Sequence, residues 1–81
     1  MALPGALGSS VVDIAFRIES DGSVSAPRVL CNSTPGSGIE AALLKASKDW
    51  RFSPMSRSGK PVAVEVAYRI SASGVMRLAQ R

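Results

Sequence analysis

Residues 11–24 of the chain, VVDIAFRIESDGSV, decide the fold. Every second residue from position 12 to position 18 is large and apolar, and this period of two is typical of a strand with one buried face. Asp21-Gly22 follows, and this pair tolerates the positive φ angles of a tight hairpin turn. The stretch therefore predicts a strand, a turn and the start of a second, antiparallel strand.

The second strand is expected over residues 24–31. Its apolar positions change parity once, which predicts a β-bulge near Ser25-Ala26. Pro27 has no backbone N–H, so this strand is predicted to lie at an edge of the sheet. Cys31 belongs to the apolar set of the strand, which favours a small buried residue over a reactive thiol.

A helix is predicted after the loop at residues 32–38. Ser37 and Glu40 have the spacing of a capping box, and apolar residues recur every three or four positions from Ile39 to Trp50. Pro54 prevents continuation, so the helix should end near position 51 or 52. The apolar side of this helix and the first strand are expected to form the core, with these members: Phe16, Leu43, Ala46, Trp50 and Phe52.

Strict alternation over Val62–Ile70 predicts a third strand. Residues 72–81 form a tail in which a short extra strand is an open alternative. The predicted fold is α+β with two layers: a three-stranded antiparallel sheet in the order β-β-α-β, with one main helix packed on one face.

Composition narrows the classes of function. The chain has 81 residues, of which 46% are hydrophobic and 20% charged, which is typical of one small globular domain. It has one cysteine and no histidine, so an internal disulfide, Ser-His or Cys-His catalysis and the usual zinc sites are excluded. We therefore expect a protein that is not an enzyme and that holds no metal or cofactor.

The net charge is +4, and the cations concentrate after residue 40. A basic half attracts nucleic acid, anionic lipid or acidic peptides. A small nucleic-acid-binding domain is the least favoured alternative, because it would need exposed aromatic side chains. The aromatic residues here are assigned to the core or its margins, so we expect no nucleic-acid partner.

Several motifs together resemble the C-terminal domain of TonB, the periplasmic end of a Gram-negative energy transducer. They are the strand and turn at residues 11–24, Arg28-Val29-Leu30 before a Ser-rich loop, Trp50-Arg51-Phe52-Ser53-Pro54, and Gly59-Lys60-Pro61-Val62. The resemblance places the domain at residues 9–71, before the tail at residues 72–81. Residues 1–8 are then a flanking leader or the remnant of a truncated first helix.

The resemblance implies a periplasmic domain that binds the TonB box, a short extended segment of outer-membrane receptors for siderophores, haem or vitamin B12. It also implies binding by β-strand addition, in which a peptide pairs with an exposed sheet edge. The last predicted strand is the candidate edge, with Glu65 and Arg69 available to pair with charges on the peptide. The expected peptide-binding residues are Val62, Val64, Glu65, Val66, Ala67, Tyr68, Arg69 and Ile70.

Two features depart from the family pattern. A Tyr-Pro motif and a short helix usually precede the first strand, whereas residues 3–8 contain no tyrosine. Full-length members also have an N-terminal membrane anchor that contacts the ExbB-ExbD motor, so we expect this chain to be a fragment or a free-standing relative. An envelope interaction or dimerisation module, with a homodimer formed by strand exchange, is the alternative.

Overall fold

The computed structural model describes residues 8–78. Two sheets and one helix make up this part of the chain: β2, β1, β5 and β6 lie side by side in one antiparallel sheet, and β3 and β4 form a second, two-stranded sheet. In chain order the elements are β1 (Val12–Ile18), β2 (Val24–Asn32), α1 (Ile39–Ser47), β3 (Met55–Arg57), β4 (Lys60–Val62), β5 (Val64–Ser71) and β6 (Gly74–Arg77). Most of the predicted leader lies outside the described residues.

The predicted three-stranded sheet is wrong, because the main sheet has four strands and a second small sheet accompanies it. β6 follows a tight turn at Ala72-Ser73 and pairs with the end of β5. The predicted strand Val62–Ile70 is also divided, since Val62 belongs to β4 and β5 begins at Val64. Strands of three or four residues are too short to display a period of two, so alternation could not reveal them.

β1 lies inside the main sheet, between β2 and β5. Its apolar positions point toward the helix and are at most 2% exposed. The turn after β1 depends on Gly22, which has φ 88°. A Cβ at this position would collide with the carbonyl oxygen of Phe52, and the Phe52 N–H donates to the Gly22 carbonyl at 2.9 Å. The turn is therefore fastened to the segment that follows α1.

β2 lies at an edge of the sheet and is irregular, as the parity change predicts. One register shift falls between Ala15 and Arg17, beside Ala26 with φ 49°, and this confirms the predicted bulge. A second shift leaves Leu30 without a register partner and sets Cys31 opposite Asp13 on the solvent face. Cys31 is consequently exposed, and the prediction that it is buried is wrong.

α1 starts without the predicted capping box. Gly38, in the left-handed region at φ 84°, occupies the N-cap position, and because it has no side chain it makes no side-chain cap hydrogen bond. Glu40 instead accepts a hydrogen bond from the Asn32 amide at 2.9 Å. α1 ends at Ser47, earlier than predicted, and the chain continues in tighter turns, with the Trp50 N–H donating to the Ser47 carbonyl at 3.2 Å.

The core lies between the main sheet and α1, and Phe16 is at its centre. The Phe16 ring lies 5.6 Å from Trp50, 5.5 Å from Phe52 and 5.6 Å from Tyr68, between ring centroids. Phe16, Leu43 and Trp50 are at most 1% exposed, whereas Ala46 and Phe52 are half-buried and pack against the cluster. Complete burial of such large side chains stabilises the fold by about 1.5–3 kcal/mol each.

Candidate peptide-binding edge

The four-stranded sheet has two outer edges, β2 on one side and β6 on the other. Backbone N–H and C=O groups on an outer edge point away from the sheet and can pair with an added strand. β2 is poorly suited to this because Pro27 lacks an N–H and the bulge at Ala26 twists the backbone. The β6 side is therefore the better candidate for strand addition.

On this side, β6 covers the second half of β5. The two strands pair in antiparallel register from Tyr68 opposite Arg77 to Ser71 opposite Gly74. The expectation that the third predicted strand forms an edge is therefore wrong for these residues. β6 itself has only four residues, and every one of them is exposed.

The direction of the backbone groups on β5 follows from one hydrogen bond. The Leu78 N–H donates to the Ala67 carbonyl at 2.8 Å, so the backbone of Ala67 faces β6. In an antiparallel ladder alternate residues face the same neighbour. Arg69 therefore also faces β6, whereas the backbone groups of Val66 and Tyr68 face β1.

The side chains of the expected peptide-binding residues are divided between the two faces of the sheet. Val66 and Ile70, on the helix side, are 1% and 0% exposed. Ala67 lies on the opposite face and is also buried, at 3%. Val62 stands apart on β4, paired with Met55. Three of the eight side chains are buried, three are half-buried, and only Glu65 and Arg69 are exposed, so an added strand would meet mainly the backbone of β5.

The sheet face opposite α1 carries two ion pairs between strands, one joining the neighbours β1 and β5 and one reaching from β2 across β1 to β5. Arg69 donates to both carboxylate oxygens of Asp13, at 2.9 and 3.1 Å. This bond holds the pKa of Asp13 below its usual value and raises the pKa of Arg69. Arg28 contacts Glu65 across 3.1 Å. Glu65 and Arg69, which the sequence offers for charges on a peptide, are thus engaged within the sheet.

Comparison with known families supplies the decisive observation: the model of the Gram-negative bacterial TonB protein C-terminal family matches residues 8–71. The chain belongs to the TonB C-terminal domain family. The match begins four residues before β1 and ends with β5, so β6 follows the matched region. Comparison with curated protein sequences gives no match.

TonB C-terminal domains are periplasmic domains of Gram-negative bacteria that act in energy transduction and protein interaction and not in catalysis. Among residues 8–78 no cluster of three or more acidic, cysteine or histidine side chains could hold a metal ion. Within the same range no helix has the length and hydropathy that a membrane span requires.

The short extra strand that the sequence left open in residues 72–81 is present as β6, but the pattern did not indicate that β6 pairs with β5 and forms the edge of this TonB-family sheet. The apolar side chains of Val75 and Met76 on β6 are 40% and 55% exposed, which is unusually high for such residues within a sheet. The available signal was the turn-forming stretch at residues 71–74, which separates two segments able to pair as a hairpin. Four residues beyond a turn are too few to display the period of two that indicates a strand.

Proposed function

We propose that this TonB-family domain binds the TonB box of outer-membrane receptors by β-strand addition. We further propose that it serves the uptake of siderophores, haem or vitamins across the Gram-negative envelope, without a catalytic step of its own. The observation that carries the proposal is the family match over residues 8–71. The geometry of the β6 side supports the mode of binding.

The proposed receiving strand is β5, with the TonB box taking the place of β6. β5 has eight residues and β6 has four, so β5 offers a peptide a longer ladder of backbone hydrogen bonds. Every residue of β6 is exposed, so β6 contributes no fully buried side chain to the core. Exchange of β6 for a longer strand therefore increases the number of backbone hydrogen bonds.

In this arrangement the expected site residues, Val62 and those from Val64 to Ile70, have different tasks. Ala67 and Arg69 present backbone groups to the added strand, because both face β6 in the isolated domain. Val66 and Ile70 anchor β5 to the core through their buried side chains. Specificity from side chains is accordingly small, and backbone pairing supplies most of the affinity.

A peptide-side experiment tests backbone pairing without altering the domain. A TonB-box peptide is synthesised with N-methyl groups on alternate residues, in two versions that differ by one position. One version blocks the N–H groups that face β5, and the other blocks those that face solvent. We expect the first to lose binding and the second to retain it in a titration followed by backbone amide NMR. Equal binding of both versions would contradict strand addition.

Two proline variants distinguish β5 from the outer edge of β6. Met76 lies opposite Arg69 and its N–H faces β5, whereas the N–H of Val75 faces away from the sheet. Met76→Pro should detach β6 and tighten peptide binding severalfold, while Val75→Pro should leave binding unchanged. Weaker binding to Val75→Pro would instead assign the peptide to the outer edge of β6.

Self-association uses the same exposed backbone and needs its own control. Sedimentation of the domain alone, over the concentrations used in the titration, measures whether two copies pair. A monomer that binds the peptide supports the proposed function. A dimer that excludes the peptide would favour a dimerisation module.

A further inference from the structure

Residues Met55–Val62 form a small hairpin that we call the basic hairpin. β3 and β4 pair with each other and with neither outer edge of the main sheet. The turn uses Ser58 at φ 52° and Gly59 at φ 78°, two consecutive positive φ angles that match the twist of a two-residue hairpin. From Arg57 to Pro61 every residue is exposed.

Two cations lie directly opposite each other at the end of this hairpin. Arg57 pairs in register with Lys60, and like charges in opposing positions destabilise a strand pair. Among the described ion pairs none involves either residue. By contrast, Arg17, Arg28 and Arg69 on the main sheet each contact a carboxylate. Two like charges that face each other and that no carboxylate of the described residues neutralises indicate a binding partner that supplies the negative charge.

The chemistry of the hairpin favours an acidic peptide segment as the partner. Arginine binds carboxylates through two parallel hydrogen bonds, and the small Ser58-Gly59 turn leaves the approach unobstructed. Firm attachment to an anionic membrane generally needs a cluster of about four or more cations. Exposed aromatic side chains, which single-stranded nucleic acids need for stacking, are missing from residues 55–62.

The position of the hairpin in the chain connects it with β5. Lys60 precedes Val64, the first residue of β5, by four positions, a distance of at most about 13 Å along an extended chain. The flanking residues of a peptide strand that extends beyond the Val64 end of β5 are therefore within reach of the basic hairpin. This step rests on the proposed function, because it takes β5 as the receiving strand.

We infer that Arg57 and Lys60 of the basic hairpin bind acidic residues that flank the receptor strand on β5. The hairpin thereby selects peptides by charge at one end, whereas β5 accepts them through backbone pairing. The acidic residues belong about four positions beyond the paired segment, and only one end of the peptide reaches the hairpin. The orientation of the bound strand decides which end this is.

The test uses three TonB-box peptides and three forms of the domain. One peptide has its own acidic residues replaced by glutamine, and the other two add a pair of glutamates four residues beyond its N-terminal or C-terminal end. The domain is compared with the double variant Arg57→Glu/Lys60→Glu and with the control Lys45→Glu/Lys48→Glu, which changes net charge equally on exposed positions of the helix end. Affinity is measured by calorimetry at low and at physiological salt.

We expect one glutamate-bearing peptide to bind the unaltered domain about threefold to tenfold more tightly than the neutral peptide at low salt. The hairpin variant should lose this gain and the helix control should keep it. If both variants lost the gain in affinity equally, net charge alone would explain it and the inference would be overturned. Equal affinity of the unaltered domain for all three peptides would overturn it as well. If no peptide binds at all, the proposed function fails as well, so the two failures are distinguishable.

Discussion

The two outer strands of the main sheet protect their exposed backbone in different ways. β2 is nine residues long and carries a proline, two register shifts and a residue in the left-handed region. β6 is regular and has only four residues. An irregular edge strand cannot pair with an added strand, whereas a short edge strand can be displaced by a longer one. Strand exchange is therefore proposed on the β6 side of the sheet.

The largest expected effect on stability comes from a substitution in the aromatic core, which supports both edges of the sheet. Phe16 lies on the central strand and contacts the other three aromatic rings of the core. Phe16→Ala should lower the free energy of unfolding by about 3–5 kcal/mol, since it leaves a cavity at the centre of the cluster. Chemical denaturation measures this loss. Leu30→Ala, at a position that is 56% exposed, is the control and should change stability by less than about 0.5 kcal/mol.

The turns that hold the two edges should differ in their sensitivity. Gly22→Ala forces a side chain against the Phe52 carbonyl and should cost about 3 kcal/mol, spread over the whole domain. Gly74→Ala meets no atom within 4 Å, so only backbone strain at φ 141° opposes it, about 1–2 kcal/mol. Hydrogen exchange should show faster amides throughout in the first variant and mainly in β6 in the second. The same pattern in both would contradict a separable β6.

The ion pair between β1 and β5 predicts a smaller, pH-dependent effect. Arg69 holds the pKa of Asp13 below its value in the unfolded chain, which is about 4. The stabilisation is therefore present above about pH 4 and is lost as the pH falls through the lower pKa of the folded state. Asp13→Asn should flatten this part of the stability profile. Thermal unfolding between about pH 2 and pH 6 measures it, and an unchanged slope would exclude Asp13 as its source.

The smallest change in stability is expected at the β2 edge. Pro27→Thr restores a backbone N–H at the irregular part of the strand and should alter the free energy of unfolding by about 0.5 kcal/mol or less. It should nevertheless increase self-association, because the edge becomes better able to pair. Sedimentation over a range of concentrations checks this. A variant as monomeric as the parent would indicate that the bulge alone protects β2.

The sequence predicted the elements that repeat a pattern over many residues. β1 and the apolar face of α1 each show a clear period, and the parity change in β2 located the bulge. Several features depend instead on neighbours. The Ser37-to-Glu40 spacing suited a capping box, but Gly38 took the cap position and Asn32 bound the glutamate. One unpaired residue, Leu30, was enough to move Cys31 to the solvent face.

The candidate site was predicted only in part, for a related reason. β5 was evident from alternation, but its status as an interior or outer strand depended on β6, a strand too short for a pattern. Likewise the sequence alone leaves Glu65 and Arg69 available to a peptide, because their partners Arg28 and Asp13 lie far away in sequence. Register across strands decides such contacts, and a single sequence does not contain it.

The unbroken register between β1 and β5 has a mechanical consequence. All seven residues of β1 pair with β5 without a shift, from Val12 opposite Ile70 to Ile18 opposite Val64. A pull along these strands loads the whole ladder at once, in shear, so that its hydrogen bonds must fail together. β6 is connected to β5 by a two-residue turn, so a pull on its free end would break the hydrogen bonds between the two strands one after another. The same sheet therefore contains a strand pair, β1 and β5, that resists tension and a strand, β6, that detaches under it.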